Sequence, residues 1–198
     1  MTKYVLNSGG IKRQPNLKKQ FHRELVKDLG NAPKILICSF AQPREYWEAK
    51  FGGYSNTILE DMPESIYPEF VLAMPAEFIE QCRQADVIYF NGGDDHLLQY
   101  WMKQFDLPTL FKVKIIATNS ASSDMLTVHY WTCDWRKCAD GLGILPIKFI
   151  PHYKSDFGND DPRGPINWEE SYNHLREYGD KSLPIHALKE GEFIIVEQ

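Results

Sequence analysis

Short apolar runs alternate with stretches of helical period along most of this chain. Such alternation predicts an α/β fold, a mostly parallel sheet sandwiched by helices. Tyr4-Val5-Leu6 reads as a first strand and ends in the turn-forming Asn7-Ser8-Gly9-Gly10. Asn16 then caps a helix whose Leu17, Phe21, Leu25 and Leu29 fall on one face. Lys34 to Cys38 is a buried second strand, and a helix from Glu45 to Phe51 is stopped by Gly52-Gly53. Phe70 to Ala73 is a third strand, followed by a helix from about Ala76 to Gln84. Asp86 to Phe90 is a fourth strand that runs into Asn91-Gly92-Gly93 and a helix opened by Asp94-Asp95. The stripe Leu97, Leu98, Trp101, Met102 and Phe105 on that helix reads as core. Lys112 to Ala117 is the fifth strand; it leads directly to Ser120, and Ala121 to His129 reads as helix.

The second half is less regular. Ile147 to Ile150 forms a short strand before Pro151-His152, and a polar loop fills Lys154 to Pro165. Trp168 to Tyr178 is helical, and Ile185 to Leu188 with Phe193 to Val196 reads as a closing hairpin around Lys189-Glu190-Gly191. No repeat or linker interrupts the pattern, and 198 residues fit one domain, 1–198.

Composition narrows the function classes. The net charge is −5, and the one basic cluster, Lys12-Arg13 with Lys18-Lys19, is short and reads as a solvated face, which argues against a nucleic-acid partner. No apolar run is long enough for a membrane span, and the N-terminus has no signal-peptide core. Cys38, Cys82, Cys133 and Cys138 lack zinc spacing, so thiols in a reducing cytoplasm and no metal are expected. Tyr46, Trp47, Tyr130 and Trp131 mark either a homodimer interface or core.

Chemistry concentrates at three strand ends. Ser120 sits where a buried strand turns into a helix, a nucleophile-elbow geometry that aims the first N–H groups of the helix at the side chain. A serine there is either a plain helix cap or a nucleophile. Asn91-Gly92-Gly93-Asp94 ends the neighbouring strand, where glycines let a second N–H face a developing oxyanion. Pro151-His152-Tyr153 ends a later strand and supplies a base suited to neutral pH. The other histidines (His22, His96, His129, His174 and His186) lie in helices or exposed runs.

These residues resemble the peptidase E (aspartyl dipeptidase) and cyanophycinase family of serine peptidases. Val87 to Asp94 is similar to its strand and glycine-rich oxyanion turn, and Thr118-Asn119-Ser120-Ala121-Ser122-Ser123 to its elbow. Asp140 to Pro146, followed by Pro151-His152-Tyr153, is similar to the segment leading to its histidine, and Ala187 to Gly191 to its penultimate turn. The resemblance implies a fold like class I glutamine amidotransferases, with Ser120 as nucleophile and His152 as base. Gly92, Gly93 and Ala121 would form the oxyanion turn. The acid would be Asp134, with Asp140 and Glu190 behind it, and no cofactor is needed. Two departures stand out. Thr118 and Ser122 replace elbow glycines, and Glu169 falls at or beside the family's substrate-binding arginine. A Glu cannot pair with an aspartate side chain. The expected substrate is therefore a short peptide with a neutral or basic N-terminal residue. The altered elbow leaves a silent binding module as the alternative, and a relative acting on β-linked aspartyl polymers as a third reading.

Overall fold

Four strands dominated by aliphatic and β-branched residues are buried on both faces, the pattern of central parallel strands. The computed structural model describes residues 1–198. It opens with β1 (Lys3–Asn7), a 3₁₀ turn (Ile11–Arg13), α1 (Pro15–Glu24) and β2 (Lys34–Cys38). A second 3₁₀ turn (Arg44–Tyr46), α2 (Trp47–Leu59), β3 (Glu69–Leu72), α3 (Phe78–Gln84) and β4 (Val87–Phe90) follow. Next come α4 (Asp95–Met102), α5 (Leu107–Leu110), β5 (Ile115–Asn119) and α6 (Ala121–Leu126). The chain continues through β6 (Thr127–Thr132), β7 (Lys137–Asp140), β8 (Leu145–Ile150), α7 (Trp168–Glu177), β9 (Ile185–Ala187) and β10 (Phe193–Glu197).

The main sheet has the order β10-β1-β5-β4-β2-β3. All its neighbours run parallel except β10, which pairs antiparallel with β1. Alternate residues feed two cores. Leu36, Ile88, Phe90 and Ile116 face α3, α4 and α6, while Ile35, Ile37, Tyr89 and Ala117 face Phe21 of α1, Leu25 just after it and Ile58 of α2. The same topology brings the C-terminal ends of β1, β2, β4 and β5 to one edge, where α/β folds bind ligands.

A second sheet, β7-β6-β8-β9, lies beyond α6. Its strand β6 replaces the end of the helix expected to reach His129. Thr127-Val128-His129-Tyr130-Trp131-Thr132 is dense in β-branched and aromatic residues, which favour a pleated surface. The expected closing hairpin is absent. β9 pairs parallel with β8 in the second sheet, while β10 pairs with β1 in the first, so the turn between them bridges the sheets. Helix α2 runs through Gly52-Gly53 instead of stopping there. The buried Lys148 of β8 donates Nζ to the carbonyls of Leu175, Arg176 and Tyr178, tying the C-terminus of α7 to the second sheet. Trp47, Tyr130 and Trp131 are core residues, and only Tyr46 of that group is exposed. No helix is long and apolar enough to cross a membrane.

Candidate active site

The turn from β5 to α6 carries Ser120 at φ 55° and ψ −118°, a backbone conformation costly for a residue with a Cβ. Surrounding hydrogen bonds hold it there. The Ser120 N–H donates to Asn7 O at 2.9 Å, and the Ser123 and Asp124 N–H groups donate to Ser120 O. The residues standing where the resemblance expects glycine contribute hydroxyls to the same network. Ser123 Oγ donates to Asn7 O and thus accepts from Thr118 Oγ1 at 2.8 Å. Ser122 Oγ accepts the Asn119 N–H at 2.7 Å and lies within reach of the carbonyls of Phe90 and Asn119. Thr118, Ser122 and Ser123 are fully buried, so each hydroxyl needs these partners.

Gly92 sits on the elbow. A Cβ at Gly92 would lie 2.6 Å from Asn119 O and 3.3 Å from Ser120 Cβ, so the β4 turn approaches Ser120 only without a side chain. Gln42 Nε2 donates to Gly92 O at 2.6 Å and Asp94 N–H to Ala41 O at 2.8 Å, fixing the turn against the end of β2. The Gly93 N–H has no acceptor in the protein, and Ala121 occupies the first position of α6, where backbone N–H groups are free by construction.

His152 follows β8 and reaches across to the main sheet. Its Nε2 lies 2.9 Å from Ser120 Oγ, and its Nδ1 lies 3.2 Å from Glu190 Oε1. A carboxylate accepting from Nδ1–H leaves Nε2 as the acceptor of the serine proton. The His152 N–H donates to Ser8 Oγ, which donates to Leu188 O, so one serine joins the histidine to the β9–β10 turn. Phe157 stacks on the imidazole with ring centroids 4.2 Å apart. Gly9, at φ +96°, supports the ring from beneath, and a Cβ there would collide with its Cε1. Burial pushes the His152 pKa down; Glu190 opposes this, and the nearby Arg13 cation adds to it.

Glu190 lies in the β9–β10 turn with 13% of its side chain exposed, and its Oε2 accepts from Arg13 Nη1 at 3.1 Å. Gly191 N–H donates to Gly9 O, and Asn7 Nδ2 faces the carbonyls of Gly191 and Glu192. The turn is thereby tied to the end of β1.

The expectation that Asp134 serves as the acid does not match this geometry. Asp134 sits in the β6–β7 turn, makes no bond to His152, and has its carboxyl pushed up by the partial burial of the group and by the like charges of Asp95 and Asp94. Asp140 is engaged elsewhere, its Oδ1 2.7 Å from His129 Nδ1. Glu169 lies in the first turn of α7, 71% exposed, and pairs with Lys154 Nζ at 2.7 Å, outside the cleft beside Ser120. From sequence, Asn7-Ser8-Gly9-Gly10 reads only as a turn and Arg13 only as part of a solvated face. The available signal was Gly9-Gly10 two residues past the end of β1, mirroring Gly92-Gly93 at the same distance past β4.

Three potential metal ligands, Asp94, Asp95 and His96, place one ligand atom each within 4.8 Å of the others. Two of them already have structural partners. Asp94 caps α4 through the Leu97 N–H, and Asp95 accepts from Tyr130 Oη and Trp135 Nε1. Asp124, on the same side of the site, is wholly buried, and its Oδ1 has no partner. Burial raises its pKa well above the ordinary carboxyl value, with Asp95 and Asp134 adding to the shift.

No protein-family model matches the sequence, and no curated protein matches it. Solved structures do. A peptidase from an acI-B1 Actinobacterium superposes with a TM-score of 0.67 at 22% identity, covering 99% of this chain and 83% of the other. A Listeria monocytogenes EGD-e protein named "Putative Peptidase E" superposes with a TM-score of 0.57 at 16% identity, covering 100% and 99%. The chain therefore has the α/β fold of these two proteins, mostly parallel sheets flanked by helices.

Proposed function

We propose that the chain is a serine peptidase that hydrolyses short peptides through an acyl-enzyme on Ser120. The observation that carries this reading is the line Ser120 Oγ, His152, Glu190, set at 2.9 and 3.2 Å above a strained strand–helix turn. Ser120 Oγ attacks the peptide carbonyl carbon while its proton passes to His152 Nε2. The N–H groups of Gly93 and Ala121 stabilise the oxyanion, donors typically worth about 10²–10³ in turnover each. His152 returns the proton to the leaving nitrogen as the C–N bond breaks, and Glu190 stabilises the transient imidazolium. Water, deprotonated by the same imidazole, then releases the acyl group and restores the Ser120 hydroxyl. The peptidase names carried by two proteins of like fold support the same class.

The acyl-side residue is neutral or basic. Asp94 and Asp95 follow the oxyanion turn directly, and Asp134 lies beside them, so the nearby field disfavours an acidic substrate residue. Incubation with a dipeptide library tests the reading. Wild type should release free amino acids, least from Asp-X members, and Ser120→Ala should lose about 10³-fold or more in kcat/KM. Equal turnover by the two proteins would refute it.

A further inference from the structure

The line of contacts that starts at Ser120 Oγ does not end at Glu190. The carboxylate turns Oε1 to His152 Nδ1 at 3.2 Å and Oε2 to Arg13 Nη1 at 3.1 Å, so imidazole and guanidinium share it. Its place does not depend on the arginine. A Cβ on Gly10 would lie 2.5 Å from Glu190 Cδ, so the turn after β1 seats the carboxylate by close backbone approach. The Gly191 N–H, donated to Gly9 O, ties down the other side. Arg13 stands on a fixed 3₁₀ turn, its N–H donated to Gly10 O at 3.0 Å and Ile11 buried beneath.

What Arg13 contributes is charge. A carboxylate beside an imidazole orients the Nδ1–H, and it also favours the protonated ring. The second effect works against a general base, which must be neutral to accept the Ser120 proton. A cation on the far oxygen of the same carboxylate offsets it. Burial lowers the His152 pKa, Glu190 raises it and Arg13 lowers it. The other contacts of His152 are uncharged: Ser120 Oγ at Nε2, Phe157 on the ring face and Ser8 Oγ at the backbone N–H. Lys12 borders the same cleft but lies over the Tyr54 ring, 5.7 Å from its centroid.

We infer that Arg13 is a positioning residue acting through Glu190: it shares the carboxylate with His152, so that Glu190 orients the imidazole without keeping it protonated. The consequence for catalysis rests on the hydrolase reading above.

The test follows two quantities against pH in wild type, Arg13→Gln, Arg13→Lys and Lys19→Gln. One is the rate at which a fluorophosphonate labels Ser120. The other is the NMR titration of the His152 ring, assigned by its loss in His152→Gln. In Arg13→Gln the acidic limb of labelling and the titration midpoint should both move to higher pH. Labelling within that limb should slow by about two- to fivefold, the range of a solvent-facing ion pair, because the Arg13 side chain is 72% exposed. Above the limb the rate should match wild type, whereas a merely structural defect would lower it at every pH. Arg13→Lys keeps the cation and should stay near wild type, as should Lys19→Gln, which removes an equal charge from α1. A midpoint in Arg13→Gln that stays in place or moves to lower pH would overturn the inference. An equal shift in Arg13→Lys or Lys19→Gln would do the same. A wild type that takes no label while the His152 midpoint moves as expected would refute the hydrolase reading and leave the sharing of Glu190 standing.

Discussion

Glu190 reaches His152 because the last connection of the chain crosses between sheets. Leu188 N–H pairs with Ile150 O at the end of β8, and Gly191 N–H pairs with Gly9 O beyond β1, leaving Glu190 between two strand ends. Its role separates cleanly from that of Asp134. Glu190→Gln keeps the shape but loses the carboxylate, so kcat should fall by about 10²–10⁴. Asp134→Asn should stay within about threefold. The pH profile carries a second sign. Glu190 raises the His152 pKa, so its removal should move the acidic limb of kcat/KM to lower pH. Asp134→Asn should leave that limb in place. A large loss in Asp134→Asn would reverse the assignment. Ser120 and His152 were legible in the sequence because each directly follows an apolar strand. The proposed acid was not, because Asp134 and Asp140 lie between Ser120 and His152 in the chain while Glu190 lies after both, and only the β9–β10 crossover brings it to the imidazole.

At the scale of the element, α6 combines the strained Ser120 turn with a buried acid. Asp124 ends up among Asp95 and Asp134 with one oxygen unpartnered. Its folded pKa is raised above the unfolded value of 3.8, so its favourable contribution is complete only below that pH and is lost as pH rises through the folded value. Asp124→Asn removes the titration at constant shape. Thermal melts should show the variant more stable than wild type at pH 8, by about 2–4 °C per kcal/mol recovered, with the gap closing towards pH 4. A variant less stable at pH 8 would contradict this account. Thr118 and Ser122 looked like departures from the elbow pattern in sequence. In three dimensions they are hydrogen-bonding members of it, a compensation no one-dimensional spacing reveals. Gly52-Gly53 misled in the opposite direction. Glycine costs a helix interior only about 1 kcal/mol each, and the packing of Trp47 and Ile58 holds α2 together across them.

Over the whole molecule, the site exists because a parallel sheet collects its loops at one edge. Asn7 and Asn119 are register partners at the ends of β1 and β5, and Phe90 of β4 pairs with Thr118. Those central strands were readable from their apolar runs. The second sheet was much less so, since β6 follows α6 without a break and β7 is a half-exposed run of only Lys137 to Asp140. Its strand β8, which delivers His152, was the exception, read from the apolar run Ile147 to Ile150, whereas the β9–β10 crossover that delivers Glu190 was not. In the proposed mechanism these pieces meet to activate Ser120. Intact-mass spectrometry after exposure to a fluorophosphonate measures that directly. The proposed mechanism predicts one adduct per wild-type chain, mapped to Ser120, and none on Ser120→Ala; an unlabelled wild type, or equal labelling of Ser120→Ala, would contradict it.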